Sequence, residues 1–372
     1  MDTPAPKSPR LLSLDALRGF DLFWILGGEG IVHALLALTG WAWVAVMADQ
    51  MKHVAWDGFQ AYDLIFPTFL FLAGVSTPFS LRNHLGADNR REVVVKIIRR
   101  GLLLVLLGII YNNGLQWKGL DQMRFGSVLG RIGLAGMFAQ LIYVANAHNP
   151  RRLWWWLGGI LLGYYGVMMT CAVPGFAPGD LSPKGNFASY VDRLLMPGKL
   201  HRTFHDPEGL FSTIPAIGTA LLGIFAGLWL QRPTEEISPW KKARRLALAG
   251  LLCLAAGGLW DYGFPINKNL WSSSFVLFAG GWSFLLLATF YALIDILGWR
   301  SFGFFFAVIG MNSVLIYMAG KFISFAFTAN ALLGGVAKAL PAGQELTLSV
   351  GFVAVEWLFL WFLQKHKVFL KV

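Results

Sequence analysis

Residues 48–81 read ADQMKHVAWDGFQAYDLIFPTFLFLAGVSTPFSL, and this stretch decides the fold. A polar segment carrying Lys52, His53, Trp56 and Asp57 runs straight into an apolar one, from about Ala61 to Leu81. At 1.5 Å per residue, about 20 residues cross a hydrocarbon core of about 30 Å. His53, Trp56, Asp57 and Asp63 therefore stand at the mouth of a membrane helix. Ionisable groups there are costly to desolvate, which marks them as functional candidates. His53 leads them, because an imidazole gives or takes a proton near neutral pH.

The rest of the chain repeats the pattern. Of its 372 residues, 56% are hydrophobic and 14% charged, and the mean hydropathy is +0.57. Soluble domains are nearer 25% charged. The apolar runs are too continuous for barrel strands, which alternate. Ten membrane spans are expected, at 14–36, 61–81, 97–113, 126–147, 153–172, 211–231, 246–262, 272–294, 302–320 and 346–363. The fold class is thus all-α, a single polytopic helix bundle over 1–372. Residues 1–10 form a flexible polar tail rather than a cleavable signal peptide, and 173–210 form a long loop. The first span carries charges, and 321–345 is semi-apolar, re-entrant or lying on the surface. The two cysteines, Cys171 and Cys253, do not suggest a disulfide framework.

The net charge of +11 could point to nucleic acid. Topology explains it better. Nineteen of the 31 lysines and arginines fall in one alternating set of loops and tails, ten in the longer loops of the other set. The first set is therefore cytoplasmic, both termini are inside, and His53 faces out. The chain is expected to be multi-pass in the inner membrane, with the bilayer as a partner and no nucleic acid.

Four polar clusters fall at outer helix ends: Glu29, His53–Asp63, His201–Glu208 and Asp261–Trp271. A fifth, GMNS at 310–313, lies inside an apolar run. Together they would line one polar cavity, because polar groups in a bilayer need partners. Glu29, flanked by glycines, is either a functional carboxylate or a helix–helix hydrogen-bonding group. Asp206 and Glu208 could cap the next helix. Asn267, Lys268 and Asn269 suit a sugar, a phosphate or a solvated turn. His201 and His205 are four apart, but Pro207 and Gly209 break the helix a metal pair would need, so no metal is expected. Arg18 pairs with Asp15 three residues earlier or clamps a cytoplasmic anion. No Walker loop, GxGxxG, GxSxG or HExxH occurs.

In order along the chain stand RLLSLDALRG at 10–19, HVAWDG at 53–58, DLIFP at 63–67, DPEG at 206–209, NKNLW at 267–271 and GMNS at 310–313. This set resembles the heparan-α-glucosaminide N-acetyltransferase family of transmembrane acyltransferases, in a bacterial form. The likeness runs over almost the whole chain from residue 10. HVAWDG and the NKNLW turn are its specific motifs; the opening DxxRG is shared with other membrane acyltransferases.

The resemblance implies acetyl transfer from cytoplasmic acetyl-CoA to the amino group of a glucosamine-type sugar or short glycan across the membrane. Its active-site histidine falls on His53, either as carrier of the acetyl group or as the base that deprotonates the amine. Lysosomal members place an asparagine near the outer end of the first span, where this chain has Gly28 and Glu29. The luminal N-terminal extension of those members is also missing here, so heparan sulfate itself is not the expected acceptor. Thioester acyl transfer needs a base and an oxyanion donor. His53 is the base, with Asp57 or Glu29 orienting it. Asn269, Asn312 or a backbone N–H holds the oxyanion. Trp56, Asp63, Asp206, Glu208, Asn267, Lys268 and Trp271 are the remaining substrate-binding candidates. Arg18, Arg99, Arg100 and Arg131 are placed by position at the CoA phosphates. An amino-sugar transporter and an O-acyltransferase of envelope polysaccharide stay as alternatives, and a homodimer stays open.

Overall fold

The computed structural model describes residues 11–81 and 89–370; the tail at 1–10 lies outside them. The architecture is helical throughout. Among the described residues the one β-bridge pairs Arg124 with Gly198. The helices, in chain order, are α1 (Leu12–Phe23), α2 (Glu29–Thr39), α3 (Ala42–Gln50), α4 (Ile65–Leu81) and α5 (Arg90–Asn113). There follow α6 (Val128–Ala145), α7 (Leu153–Thr170), α8 (Phe187–Leu195), α9 (Thr213–Leu230) and α10 (Pro239–Asp261). Last come α11 (Ser273–Phe290), α12 (Arg300–Met311), α13 (Ser313–Phe322), α14 (Phe325–Ala339) and α15 (Gln344–Lys365).

All ten expected stretches are helical. Among the described residues seven helical segments are long and apolar enough to cross a membrane, and the α12–α13 pair, bent by 61° at Asn312, makes an eighth if it counts as one span. The other two fall short for legible reasons. The first half of α5 holds Arg90, Arg91, Glu92, Lys96, Arg99 and Arg100, and α7 dilutes its leucines with three tryptophans and two tyrosines. The architecture is that of a polytopic helical membrane protein. The stretch 321–345 is mostly α14, packed along α15, and the long loop 173–210 contains α8, which the sequence reading did not foresee. Both cysteines are free.

Glycine decides how closely the helices pack. A Cβ at Gly74 would sit 2.1 Å from the Ala220 carbonyl, and one at Gly223 would sit 1.9 Å from that of Phe71. Thus α4 and α9 touch backbone to backbone. Gly19 of α1 and Gly310 of α12 meet the same way. Without a hydrophobic drive between helices in lipid, such close approach is what holds a bundle together.

The first span is broken rather than straight. Trp24–Gly28 form a π turn between α1 and α2, and Gly27 sits at φ +118°, which only glycine adopts without strain. This bend sets the direction of Glu29, the first residue of α2.

Candidate active site

His53 is held by a carboxylate ten residues on. Residues Ala61–Leu64 form a 3₁₀ turn, closed by a capping box between Gln60 and Asp63. The turn buries Asp63 at the head of α4 and aims it back at the 53–58 loop. Asp63 Oδ1 lies 2.7 Å from His53 Nδ1 and accepts from Lys268 Nζ at 3.1 Å; Oδ2 accepts from the backbone N–H groups of Val54 and Gln60. The Asp63 side chain is 2% exposed, that of His53 56%. Lys268 Nζ also lies 3.1 Å from Nδ1, so both partners crowd that nitrogen; the closer carboxylate favours the proton on Nδ1, which leaves the Nε2 lone pair free. The imidazole is thus anchored on one edge and open on the other. The Tyr62 ring packs beside it, centroids 4.9 Å apart.

Lys268 reaches this cluster because two loops are pinned together. Gly58 N–H donates to the Ile266 carbonyl at 2.8 Å, and Asn267 Nδ2 donates to Asp57 Oδ1 at 3.0 Å. Burial is the main influence on Lys268 and holds its ammonium below the usual lysine range against the pull of Asp63.

This geometry corrects several expectations. Asp57 does not orient the imidazole; the 53–58 loop turns it towards Asn267, and Asp63 takes the position on Nδ1. Asn267 is buried, and its Oδ1 accepts from Leu270 N–H, so both of its polar ends serve the turn. Trp271, 1% exposed, is a core residue. Its Nε1 donates to Thr219 Oγ1 at 3.1 Å and its ring meets Phe66. Asn269 follows Lys268 on the same turn. Trp56 is half-buried, donates to the Leu181 carbonyl and meets His205 edge-on.

Asp206 and Glu208 converge on Arg124, which sequence reasoning missed. Arg124 Nε and Nη2 bind both oxygens of Asp206, at 3.0 and 2.7 Å, and Nη2 also binds Glu208. Burial alone would raise the Asp206 carboxyl, but Arg124 holds it below the usual range. The signal was legible: Arg124 is a lone cation just before an expected span, opposite in sign to DPEG. Next to this pair, burial pushes the Asp192 carboxyl of α8 up to about 6, against the Phe211 and Leu210 amides it accepts from. Burial beside Arg202 pushes His205 down to about 4, so its ring is neutral at pH 7. Among the described residues no three His, Cys, Asp or Glu side chains group as metal ligands.

Arg131 is not at the basic face. It lies one turn into α6, fully buried, donating to the Gly209 carbonyl and to Ser212, with its guanidinium 4.9 Å from the Trp271 ring. That is the His53 end of the bundle, because α6 begins there. Asn312 is displaced the opposite way. It interrupts α12–α13 and ties down the C-terminal segment, Nδ2 to the Val368 carbonyl and Oδ1 from Leu370 N–H.

Arg18 and Arg100 do share a cavity. It measures about 270 Å³ and is lined at one end by Arg18, Ser76, Arg100 and Gln140, and further in by Leu129 and Ile132. Arg18 Nη2 donates to Ser76 Oγ and Nη1 to Asp15. Arg99, on the same helix as Arg100, is exposed and does not line it. A second, apolar cavity of about 50 Å³ shares Phe69, Leu129, Ile132, Ser313 and Val314 with the first, and continues to Ile65, Phe66 and Val128. From Gln140 to Val128 along α6 the two together cover about 18 Å of helix. They end beside the helix start that carries Asp63.

Residues 10–262 match the family described as heparan-alpha-glucosaminide N-acetyltransferase, catalytic. The human heparan-alpha-glucosaminide N-acetyltransferase is 30% identical over 375 residues, covering 83% of this chain and 52% of its own length. The mouse protein of the same name is 29% identical, covering 72% of this chain and 48% of its own. The chain spans about half the length of the curated relatives it matches. His53, Tyr62, Asp63, Arg124 and Asp206 fall inside the matched region, whereas Lys268 lies just beyond it. With two thirds of its residues under that match, and 83% of it aligned to the human relative at 30% identity, the chain belongs to the heparan-α-glucosaminide N-acetyltransferase catalytic family.

Proposed function

We propose that the protein is a transmembrane N-acetyltransferase that takes acetyl groups from acetyl-CoA at its basic face and transfers them to the amino group of a glucosamine-type sugar at the His53 end. The observation that carries this reading is the His53 imidazole, open on its Nε2 edge and anchored through Nδ1 on a buried carboxylate. The concentration of Lys and Arg in one set of loops supports a topology with the Arg18 and Arg100 end cytoplasmic and the His53 end outside, in the inner membrane.

Arg18 and Arg100 suit the CoA phosphates, and the apolar inner stretch past Phe69 and Leu129 suits the uncharged acyl-bearing arm. His53 Nε2 takes a proton from the acceptor ammonium, and the neutral amine attacks the thioester carbonyl. Asp63 stabilises the imidazolium that forms, and Lys268 keeps Asp63 ionised. The thiolate leaves with the amine's second proton. The net reaction converts an ammonium and a thioester into an amide, a thiol and one proton.

Purified protein in phosphatidylcholine nanodiscs, given acetyl-CoA and glucosamine, should release thiol and form N-acetylglucosamine by mass spectrometry. His53→Ala should stop both. Thiol release with no amino sugar tested would overturn the amine assignment if the product carries an ester. Sugar uptake without acetyl-CoA would make the protein a carrier instead.

A further inference from the structure

Glu29 looks two ways. On one side its carboxylate lies near the Tyr62 hydroxyl, and the Tyr62 ring walls the His53 imidazole. On the other it lines a groove of about 550 Å³ between α2, α14 and α15. That volume falls within the span of small-molecule sites, about 300–1,000 Å³. Glu29 is the only ionisable group among the residues lining it; Asn330 and Ser349 add neutral hydrogen-bonding groups, and Phe352 adds an aromatic face. Gly27 and Gly30 keep the wall beside Glu29 low. One carboxylate, neutral polar groups and a ring are the chemistry that binds a sugar carrying a single positive charge.

We propose that this groove is the acceptor subsite and that Glu29 binds the acceptor's ammonium, delivering it past Tyr62 to His53. The inference rests on the acetyltransferase reading above and adds the acceptor's location and its required charge. The ammonium enters paired with Glu29. His53 Nε2 then removes one of its protons, the pairing with Glu29 weakens, and the neutral amine is free to attack. Glu29 itself takes no proton in this sequence. A hydroxyl acceptor makes no such ion pair and is held poorly.

The test is kinetic, in phosphatidylcholine nanodiscs with acetyl-CoA and glucosamine. Glu29→Gln should raise the KM for glucosamine by about 10- to 100-fold, the size of a lost charged hydrogen bond, with a smaller change in kcat and none in the KM for acetyl-CoA. Glu29→Asp should recover part of the loss. Asn330→Trp, at an exposed position that leaves Glu29 intact, should also raise the KM for glucosamine alone. An unchanged glucosamine KM in Glu29→Gln and in Asn330→Trp, in protein of wild-type thermal stability, overturns the proposal. So does a pure loss of kcat. A lipid amine is the other source of an ammonium. Discs containing phosphatidylethanolamine and no sugar should give no acetylated lipid; acetylated lipid would reassign the groove to a headgroup. Should the wild type transfer acetyl to no amine at all, the acetyltransferase reading fails first, and that result is distinct from an unaltered KM.

Discussion

The two ends of the bundle handle charge in opposite ways. At the His53 end nearly every charged group is spoken for by a neighbour: Asp63 gathers four donors, Arg124 takes two carboxylates, and Asp57 is clamped by Asn267. At the other end Arg18 and Arg100 border an open cavity walled by small and apolar residues, Gly133 and Gly136 among them. A site that must hold a base in one tautomer needs rigidity and satisfied partners. The second end offers room instead, with Arg18 held by Asp15 and Ser76 at its rim. On the proposed reading the first end carries the chemistry and the second admits the donor.

That division can be broken in four places. The largest effect belongs to His53→Ala, which should lower kcat on the order of a thousandfold, the worth of a positioned general base, while leaving acetyl-CoA binding intact by calorimetry. Asp63→Asn should cost about a hundredfold in kcat, measured by thiol release, because an amide no longer fixes the Nδ1–H tautomer. Third, Asp192 should tie stability to pH. Its folded-state carboxyl sits at about 6, above the ordinary 3.8. A raised carboxyl contributes stability that is complete below pH 3.8 and disappears as pH climbs through 6. Melting curves should therefore show the wild type losing about 3 kcal/mol relative to Asp192→Asn across that window. The smallest change lies at the other end: Arg100→Ala should raise the KM for acetyl-CoA about tenfold, with kcat kept and the difference shrinking in high salt. If Arg100→Ala damages kcat and spares KM, the two ends are not divided as described.

The helices were legible because long apolar runs have few other solutions, and His53 was legible because a titratable ring at a helix mouth is expensive. Its partner was not. Asp57 and Asp63 read alike in the sequence, four and ten residues away. The choice between them depends on a 3₁₀ turn and on Asn267, more than 200 residues distant, claiming Asp57 first. Arg131 was misplaced although span parity alone puts the first turn of α6 at the His53 end. Asn312 and Trp271 looked like binding residues because they are polar or amphipathic inside apolar runs. Both are occupied with backbone and core partners that only the tertiary fold brings near. Tyr62 went unnoticed beside its acidic neighbour, since nothing in the sequence tells which ring lies against the imidazole.

The bend in the first span has a consequence for inheritance as well as for shape. A backbone at φ +118° tolerates no substituent, and the Phe352 and Val353 side chains already stand about 3 Å from where one would go. Every amino-acid change at position 27 would therefore swing the following helix, carrying Glu29 off its bearing. In a saturation library this site should accept a single amino acid, while Gly40, in the αL region with open space around it, should accept asparagine at a small cost.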